Sequence, residues 1–126
     1  MEIGQKTRLR NLNKNNMRKI TIAFDVDGTL RCNKDSYEIG NAIHANPNED
    51  IRALLITLSK FKNVECHIWS GGGQDYALDI RRLFLLQNYV KEVNCHWKGA
   101  GFKPDIAIDD IHDCILGGVN LIVKQK

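Results

Sequence analysis

The sequence predicts an α/β fold in which a central parallel sheet is flanked by helices, giving three layers. Short apolar runs alternate along the chain with segments of helical periodicity, and this order is typical of parallel sheets. The 126 residues are enough for one domain with a buried core, and no repeat or second domain is visible. No apolar run approaches the roughly 20 residues of a membrane helix, so we expect no contact with a membrane.

The first half of the chain provides a strand, a loop and a helix. Residues 20–24 form a continuous apolar run and are the first expected strand. Residues 31–46 are polar and irregular, and predict a loop with one short hairpin. Asn48 is expected to cap a helix, because the acids Glu49 and Asp50 in the first turn favour the helix dipole. The apolar positions of this helix follow helical spacing and are Ile51, Leu54, Leu55, Leu58 and Phe61.

The second half continues the alternation. Residues 64–69 predict a second strand, the glycine-rich residues 70–73 a loop, and residues 75 to about 88 a second helix. One face of that helix is expected to carry Tyr76, Ile80, Leu83, Phe84 and Gln87. The remaining expected elements are a short strand within 90–95, a loop at 99–104, a strand at 106–108, a short helix at 110–116 and a last strand at 120–123.

Charge is distributed unevenly along the chain. Residues 1–19 carry six Lys and Arg side chains against one acid, a net +5, whereas the other 107 residues carry 12 basic and 14 acidic groups, a net −2. Residues 1–18 are also rich in Asn and lack apolar periodicity, so we interpret them as a basic flexible arm before a domain at 19–126. Such an arm suits contacts with nucleic-acid phosphates. The alternative is a solvated tail, with Met17 as the natural start.

Cysteine usage and the amino terminus indicate the cellular compartment. The four cysteines are far apart and form no Cys-x-x-Cys pair, and the first residues contain no apolar signal-peptide core. We therefore expect reduced thiols and a cytoplasmic protein. The pairs Cys66-His67 and Cys95-His96 suggest zinc ligands, but neighbours in a strand face opposite sides of a sheet, so a shared zinc site is not expected.

Two carboxylates, Asp25 and Asp27, directly follow the first apolar run and precede Gly28 and Thr29. In open parallel sheets, ligands bind at the carboxyl ends of the strands. An unpaired carboxylate beside a core strand is costly, so this pair indicates cation binding or acid–base chemistry. A simple Asp-Gly turn is the alternative explanation.

Other polar residues are expected near the same edge of the sheet. Ser70 ends the second strand, Asp109 and Asp110 end the fourth, and Lys103 lies in the loop before the fourth. Mg²⁺ prefers carboxylate oxygens, glycine-rich turns cradle phosphate oxygens, and a lysine supplies compensating charge. The set therefore predicts a site for a divalent cation and a phosphate.

These residues resemble the four motifs of the haloacid dehalogenase-like (HAD) superfamily, mainly its phosphatases. The matching segments are Asp25-x-Asp27-Gly28-Thr29-Leu30, Ser70 after the second strand, Lys103, and Ile106-Ala107-Ile108-Asp109-Asp110, with Asp113 at the spacing of the trailing acid. They span residues 20–113 in the family's order. The stretches around Ser70 and Lys103 are similar to small members, often phage-encoded or bacterial. The resemblance implies a three-layer Rossmann-like fold.

The resemblance also implies a Mg²⁺-dependent phosphomonoester hydrolase. Asp25 would attack phosphorus and form an aspartyl-phosphate, while Asp27 would protonate the leaving oxygen and later accept a proton from water. Ser70 and the Gly71 amide would bind the phosphoryl group, and Lys103 would offset its charge. The implied metal ligands are Asp25, the backbone carbonyl of Asp27, and Asp109, with Asp110 either supporting or replacing Asp109.

Two short spacings indicate that a cap domain is absent. The segment between Asp27 and Asn48 allows a turn and a flap, and only seven residues separate Cys95 from Lys103. Capless family members act on large substrates or use a neighbouring subunit as a lid, which implies a possible homo-oligomer. Three functions remain open: a phosphatase for a nucleotide, sugar phosphate or nucleic-acid end; a polynucleotide end phosphatase that uses the basic arm; and a non-catalytic phosphate- or protein-binding module.

Overall fold

A computed structural model describes residues 18–32, 41–111 and 117–123 of the chain. The strands are β1 (Ile20–Asp25), β2 (Val64–Ser70), β3 (Cys95–Trp97), β4 (Ile106–Asp109) and β5 (Val119–Ile122). The α-helices are α1 (Glu49–Ser59) and α2 (Gln74–Leu83), and short 3₁₀ turns cover Glu92–Asn94 and Lys98–Ala100. The five strands form one parallel sheet in the order β3-β2-β1-β4-β5, which confirms the predicted α/β class.

The central strand β1 determines where the polar residues meet. It pairs with β2 over six residues and with β4 over three, and Phe24 lies opposite both Ile68 and Ile108. Because all strands are parallel, their carboxyl ends lie along one edge of the sheet. We call this the carboxyl edge; it brings together the residues that follow β1, β2, β3 and β4.

Both described α-helices pack on the same face of the sheet. Leu55 of α1 and Ile80 of α2 share one buried cluster with Phe24, Ile68 and Ile108 of the strands. The reason is topological: β1-α1-β2 and β2-α2-β3 step across the sheet in the same direction, and right-handed crossovers then place both helices on one side. The expected helix layer on the opposite face is therefore not seen among the described residues.

The opposite face is covered by the connection from β3 to β4. Phe102, in the middle of this connection, packs against Ala23, Trp69 and Ala107. The connection comprises only residues 98–105, whereas parallel crossovers usually need a dozen or more residues and contain a helix. We call this eight-residue segment the strap.

Helix α1 and the loop before it agree with the sequence pattern in outline. Asn48 occupies the N-cap of α1 as predicted, although its side chain makes no capping hydrogen bond. Arg31 forms an isolated antiparallel bridge with Pro47, and residues 33–40 of the expected hairpin loop lie outside the described residues.

Helix α2 and β3 differ from their predicted bounds. α2 ends at Leu83, whereas the sequence predicted an end near residue 88. The helix stops because Leu85 adopts a left-handed φ of 57°, and the Leu86 N–H donates to the Arg81 carbonyl at 2.8 Å. This is the bond pattern of a Schellman helix end. Of the five residues predicted to share one face of this helix, Tyr76, Ile80 and Phe84 are buried, whereas Leu83 and Gln87 are exposed. β3 begins only at Cys95, after a 3₁₀ turn.

Several expectations fall partly outside the described residues. Asp110 and Ile111 are not helical, and the rest of the helix expected at 110–116, including Asp113, is not described. Of the basic arm, only Arg18 is described; it is exposed and forms an ion pair with Asp105. In the described parts of the chain, no helix combines the length and apolar character needed to cross a membrane.

Candidate active site

The turn after β1 presents Asp25 and Asp27 at the carboxyl edge. Gly28 has a left-handed φ of 82°, which glycine adopts without steric cost, and its N–H donates to the Arg31 carbonyl at 3.1 Å. The Leu30 N–H donates to the carbonyl of Asp25 at 3.1 Å, which closes the turn over the end of the strand. The Asp-Gly sequence thus fixes the backbone on which both carboxylates are carried.

Three carboxylates meet where β1 and β4 end side by side. Oxygens of Asp25, Asp109 and Asp110 all lie within 4.8 Å of one another, as predicted from the strand order. Burial, with a further contribution from the charge of Asp109, raises the pKa of Asp25 to about 8. Burial also raises the pKa of Asp109. The cluster therefore needs positive charge in order to be fully ionised near neutral pH.

Lys98 supplies a positive charge to this cluster. Its Nζ lies 2.7 Å from Asp25 Oδ1 and 2.7 Å from Asp109 Oδ2, so one ammonium bridges the ends of two strands. Burial lowers the pKa of Lys98, but the attraction of Asp25 and Asp109 outweighs it and raises the pKa above its ordinary value. Lys98 remains a cation in this position.

The sequence-based assignment of Lys103 to this role is corrected by the structure. Lys103 is exposed and forms no ion pair with any described residue, whereas Lys98 occupies the expected position. The physical reason is the direction in which the chain runs at each lysine. Lys98 immediately follows β3 and therefore lies at the carboxyl edge, whereas Lys103 comes shortly before β4 begins. A residue that leads into a parallel strand approaches the amino end, and this signal was available in the sequence.

Asp27 lies apart from the carboxylate cluster and has its own partners. Tyr76 of α2 donates its hydroxyl to Asp27 Oδ1 at 2.5 Å, and Arg31 Nη1 donates to the same tyrosine oxygen at 2.9 Å. Burial raises the pKa of Asp27, although the bond from Tyr76 and the charge of Arg31 partly offset this effect. The sequence predicted Tyr76 on one face of the second helix but not this contact, because the contact depends on the position of α2 relative to the turn.

Ser70 and Gly71 lie at the same edge, beside the end of β1. Trp69 is the register partner of Asp25, and Ser70 is the next residue along β2. The buried Ser70 Oγ accepts the Gly72 N–H at 2.9 Å, so its own hydroxyl proton remains available to a ligand. Gly71 is exposed, which leaves its backbone accessible from solvent.

The donor set fits a hard divalent cation such as Mg²⁺. All three clustered groups are carboxylates, the ligand type that Mg²⁺ prefers, and the raised pKa values of Asp25 and Asp109 indicate a deficit of positive charge. Two of the described histidines lie away from the cluster: His67 Nδ1 and His96 Nε2 are 2.8 Å apart on the strap face. Cys66 and Cys95 belong to the core on the helix face.

Thr29 is a further residue of the site that sequence reasoning missed. The fully buried Thr29 hydroxyl donates to Asp25 Oδ2 at 3.3 Å, while Lys98 contacts Oδ1, so both carboxylate oxygens have partners.

The arrangement combines an oriented carboxylate, a second carboxylate held separately, a lysine and an oxygen-rich cation site. Comparisons of the chain with protein-family models, curated proteins and solved structures return no match.

Proposed function

We propose that the protein is a Mg²⁺-dependent phosphomonoester hydrolase, of HAD-like type and without a cap domain. The observation that supports this proposal most is that the two acids Asp25 and Asp27 have different surroundings. Asp25 sits in a three-carboxylate cluster bridged by Lys98, whereas Asp27, two residues away, is held outside the cluster by Tyr76. Phosphoryl transfer through a carboxylate needs one ionised nucleophile and one proton donor, and the different surroundings of Asp25 and Asp27 support assigning one role to each.

In the first step, a carboxylate oxygen of Asp25 attacks phosphorus. A bond forms between this oxygen and phosphorus, and the bond from phosphorus to the ester oxygen breaks. Asp27 donates a proton to the departing oxygen, which leaves as an alcohol. Asp27 Oδ1 accepts a hydrogen bond from Tyr76, so the transferable proton resides on Oδ2. Burial raises the pKa of Asp27 and favours this protonated form before attack.

In the second step, water attacks the aspartyl-phosphate. The ionised Asp27 accepts a proton from this water, phosphate departs, and the Asp25 carboxylate is regenerated. Asp27 thereby returns to its protonated form, so the cycle is balanced in protons.

Positive charge and hydrogen-bond donors would stabilise the transferring group. Bound Mg²⁺, held by Asp25, Asp109 and Asp110, would supply Lewis-acid stabilisation of the phosphoryl oxygens. Lys98 neutralises charge between Asp25 and Asp109 and offers its remaining donor capacity to the phosphoryl group. Ser70 and the Gly71 N–H provide neutral donors from the neighbouring strand end.

Phosphate release from an aryl phosphate in the presence of Mg²⁺ tests the proposal. The Asp25→Asn variant should lose activity by about 10³-fold or more, because it removes the nucleophile. Asp79→Asn is the matched control: Asp79 is exposed on α2, pairs with Arg82, and should be dispensable. Equal rates for wild type and Asp25→Asn would refute the assignment. Mg²⁺ binding without turnover over a broad substrate panel would favour the non-catalytic binding module instead.

A further inference from the structure

A cleft of about 510 Å³ opens beside the proposed phosphate site and has no role in the chemistry described so far. It lies between the glycine-rich loop after β2 and the end of β3. Its lining residues are Gly71, Gly72, Gly73, Gln74, His96, Trp97 and Ala100. The cleft therefore shares Gly71 with the proposed phosphate-binding group.

Trp97 forms an aromatic wall of this cleft. The side chain is 51% exposed, although it is the last residue of a strand in the sheet. Exposing half of an indole forgoes a large amount of apolar burial, because aromatic side chains bury more area than any other type. The exposed ring therefore suggests a surface that becomes covered when a ligand binds.

Gly99 holds the indole in place. A Cβ atom at Gly99 would lie only 2.4 Å from Trp97 Cζ2 and 2.5 Å from Cη2, so the ring rests directly on the Gly99 backbone. Any other residue here would displace the ring. The ring is thus supported by the strap, and Trp97 is one of the residues that line the cleft.

The position of Trp97 connects the cleft with the reaction centre. Trp97 is the register partner of Ser70 on the adjacent strand, and strands in a sheet are about 4.8 Å apart. The next residue, Lys98, contacts Asp25 and Asp109. A phosphate ester bound at Ser70 and Lys98 would therefore extend its leaving group toward the indole.

The remaining walls of the cleft combine open space with a fixed polar group. A Cβ atom at Gly71 would meet no atom within 4 Å, and this residue has no left-handed φ, so neither packing nor backbone conformation requires glycine there. Its missing side chain keeps the cleft open. The Gln74 amide donates to the Cys95 carbonyl at 3.3 Å, which leaves its carbonyl oxygen as an acceptor for a ligand.

We propose that this cleft binds a nucleobase stacked on Trp97, so that the substrate class is a nucleotide phosphomonoester. A nucleobase offers a planar face to the indole and polar edges to Gln74 and to the glycine-rich backbone. Stacking depends little on base identity, so all four bases should be accepted. The shared chemistry fits either a free nucleotide or the terminal nucleotide of a nucleic acid. The inference rests on the proposed phosphatase function, since it uses the same phosphate site.

Binding measured in the Asp27→Asn protein tests this proposal, because that variant keeps the clustered carboxylates and has impaired turnover. With Mg²⁺ present, we would titrate AMP, ribose 5-phosphate and a 5′-phosphorylated oligonucleotide. AMP should bind about tenfold to a hundredfold more tightly than ribose 5-phosphate, which carries the same phosphate without a base. Adding Trp97→Leu should remove this difference and leave ribose 5-phosphate affinity unchanged, and Trp97→Phe should restore part of it.

Phe61→Leu provides the matched control, because Phe61 is a 56% exposed aromatic residue outside the cleft. Dependence of AMP affinity on Trp97 supports a free nucleotide, and dependence of the oligonucleotide alone supports a nucleic-acid end. Equal affinities for AMP, the oligonucleotide and ribose 5-phosphate, or an equal loss of all three in Trp97→Leu, would overturn the inference while wild-type phosphatase activity stands. Absence of both Mg²⁺-dependent phosphate-ester binding and wild-type turnover would overturn the proposed function as well.

Discussion

Asp27 depends on a chain of two buried side chains for its orientation. Arg31 donates a hydrogen bond to the Tyr76 hydroxyl, and the same hydroxyl donates to Asp27. The guanidinium therefore helps to fix the position of Tyr76, and Tyr76 fixes that of the proposed acid. Arg31 is itself fully buried and also donates to the Asn41 carbonyl at 2.6 Å. In the proposed mechanism Tyr76 would be a positioning residue, and its loss should affect proton transfer more than nucleophilic attack.

The Tyr76→Phe variant should distinguish this role from a merely structural one. A poor leaving group, such as an alkyl alcohol, requires protonation, whereas a 4-nitrophenolate does not. We expect kcat/KM to fall about tenfold or more for an alkyl phosphate and only slightly for 4-nitrophenyl phosphate. Tyr89→Phe is the control at a tyrosine outside this chain of hydrogen bonds. An equal loss on both substrates would contradict the positioning role.

Lys98 and Lys103 offer a second comparison between single residues. Removing the ammonium of Lys98 leaves Asp25 and Asp109 without their shared cation, so Lys98→Met should lower kcat/KM by about 10²-fold or more. Lys103→Met removes an exposed charge and should change it by less than about twofold. Steady-state kinetics on one substrate is sufficient, and the reverse pattern would restore the assignment based on the sequence motif.

At the scale of elements, the strap is the feature that the sequence predicted least well. Its eight residues contain no α-helix, and Phe102 takes the place of a helix by stacking on His67 and His96 with ring centroids 4.5 and 4.4 Å apart. His67 Nε2 also lies 2.7 Å from Glu65 Oε1. Apolar periodicity carried no signal for this packing, because a single aromatic residue in an irregular segment has no period.

The histidines beneath the strap should make stability depend on pH. Burial lowers the pKa of His67, despite the opposing contact with Glu65, and burial together with His67 lowers the pKa of His96. A lowered pKa means that the folded state resists protonation. The contribution of these two histidines to stability is then largest at pH values above the ordinary histidine pKa of about 6.5, and it falls as the pH decreases below that value.

Urea unfolding at pH 7.5 and pH 5.0 measures this effect. Because protonation of His67 is disfavoured in the folded state, the change in free energy of unfolding from pH 7.5 to pH 5.0 should be more unfavourable in wild type than in His67→Gln. His44→Gln, at an exposed histidine, should behave like wild type. The raised pKa values of Asp25, Asp27 and Asp109 act in the opposite direction, but they are common to all three proteins and cancel in the comparison. An unchanged pH dependence in His67→Gln would contradict the prediction.

The core elements were predicted more successfully than their ends. The strands at 20–24, 64–69 and 106–108 appear where short, mainly apolar runs placed them, because burial in a parallel sheet selects such runs. The sequence did not predict the end of α2, because the helix ends where Leu85 adopts a left-handed φ. Glycine usually occupies such positions, and leucine rarely does. β3 was misplaced because its three residues are too few to show a pattern.

For the whole molecule, the sequence located the acids of the site but not all of their partners. Asp25, Asp109 and Asp110 follow strands that the apolar pattern identified, so a parallel sheet was enough to bring them together. Lys98, Thr29 and Tyr76 depend on the path of the strap, the closure of a turn and the packing of a helix. These are tertiary relations that local spacing does not encode.

Cation binding should stabilise the whole fold. If Mg²⁺ binds the folded cluster and not the unfolded chain, a concentration of 100 times its Kd should add about 2.7 kcal/mol to the free energy of unfolding. Thermal unfolding should therefore shift upward by several degrees with Mg²⁺ in wild type, and much less in Asp109→Asn. Asp79→Asn again serves as the control. The same shift in Asp109→Asn as in wild type would place the cation elsewhere.

The position of β1 between β2 and β4 has a consequence for the order of assembly during folding. β1 and β2 are joined through α1, whereas β1 meets β4 across a separation of 84 residues, from Ile22 to Ile106. Contacts between such distant segments carry a high loop-closure cost and form slowly. The carboxylates of Asp25 and Asp109 therefore come together only when this long-range pairing has formed, so the proposed cation binding would report on the pairing of β1 with β4.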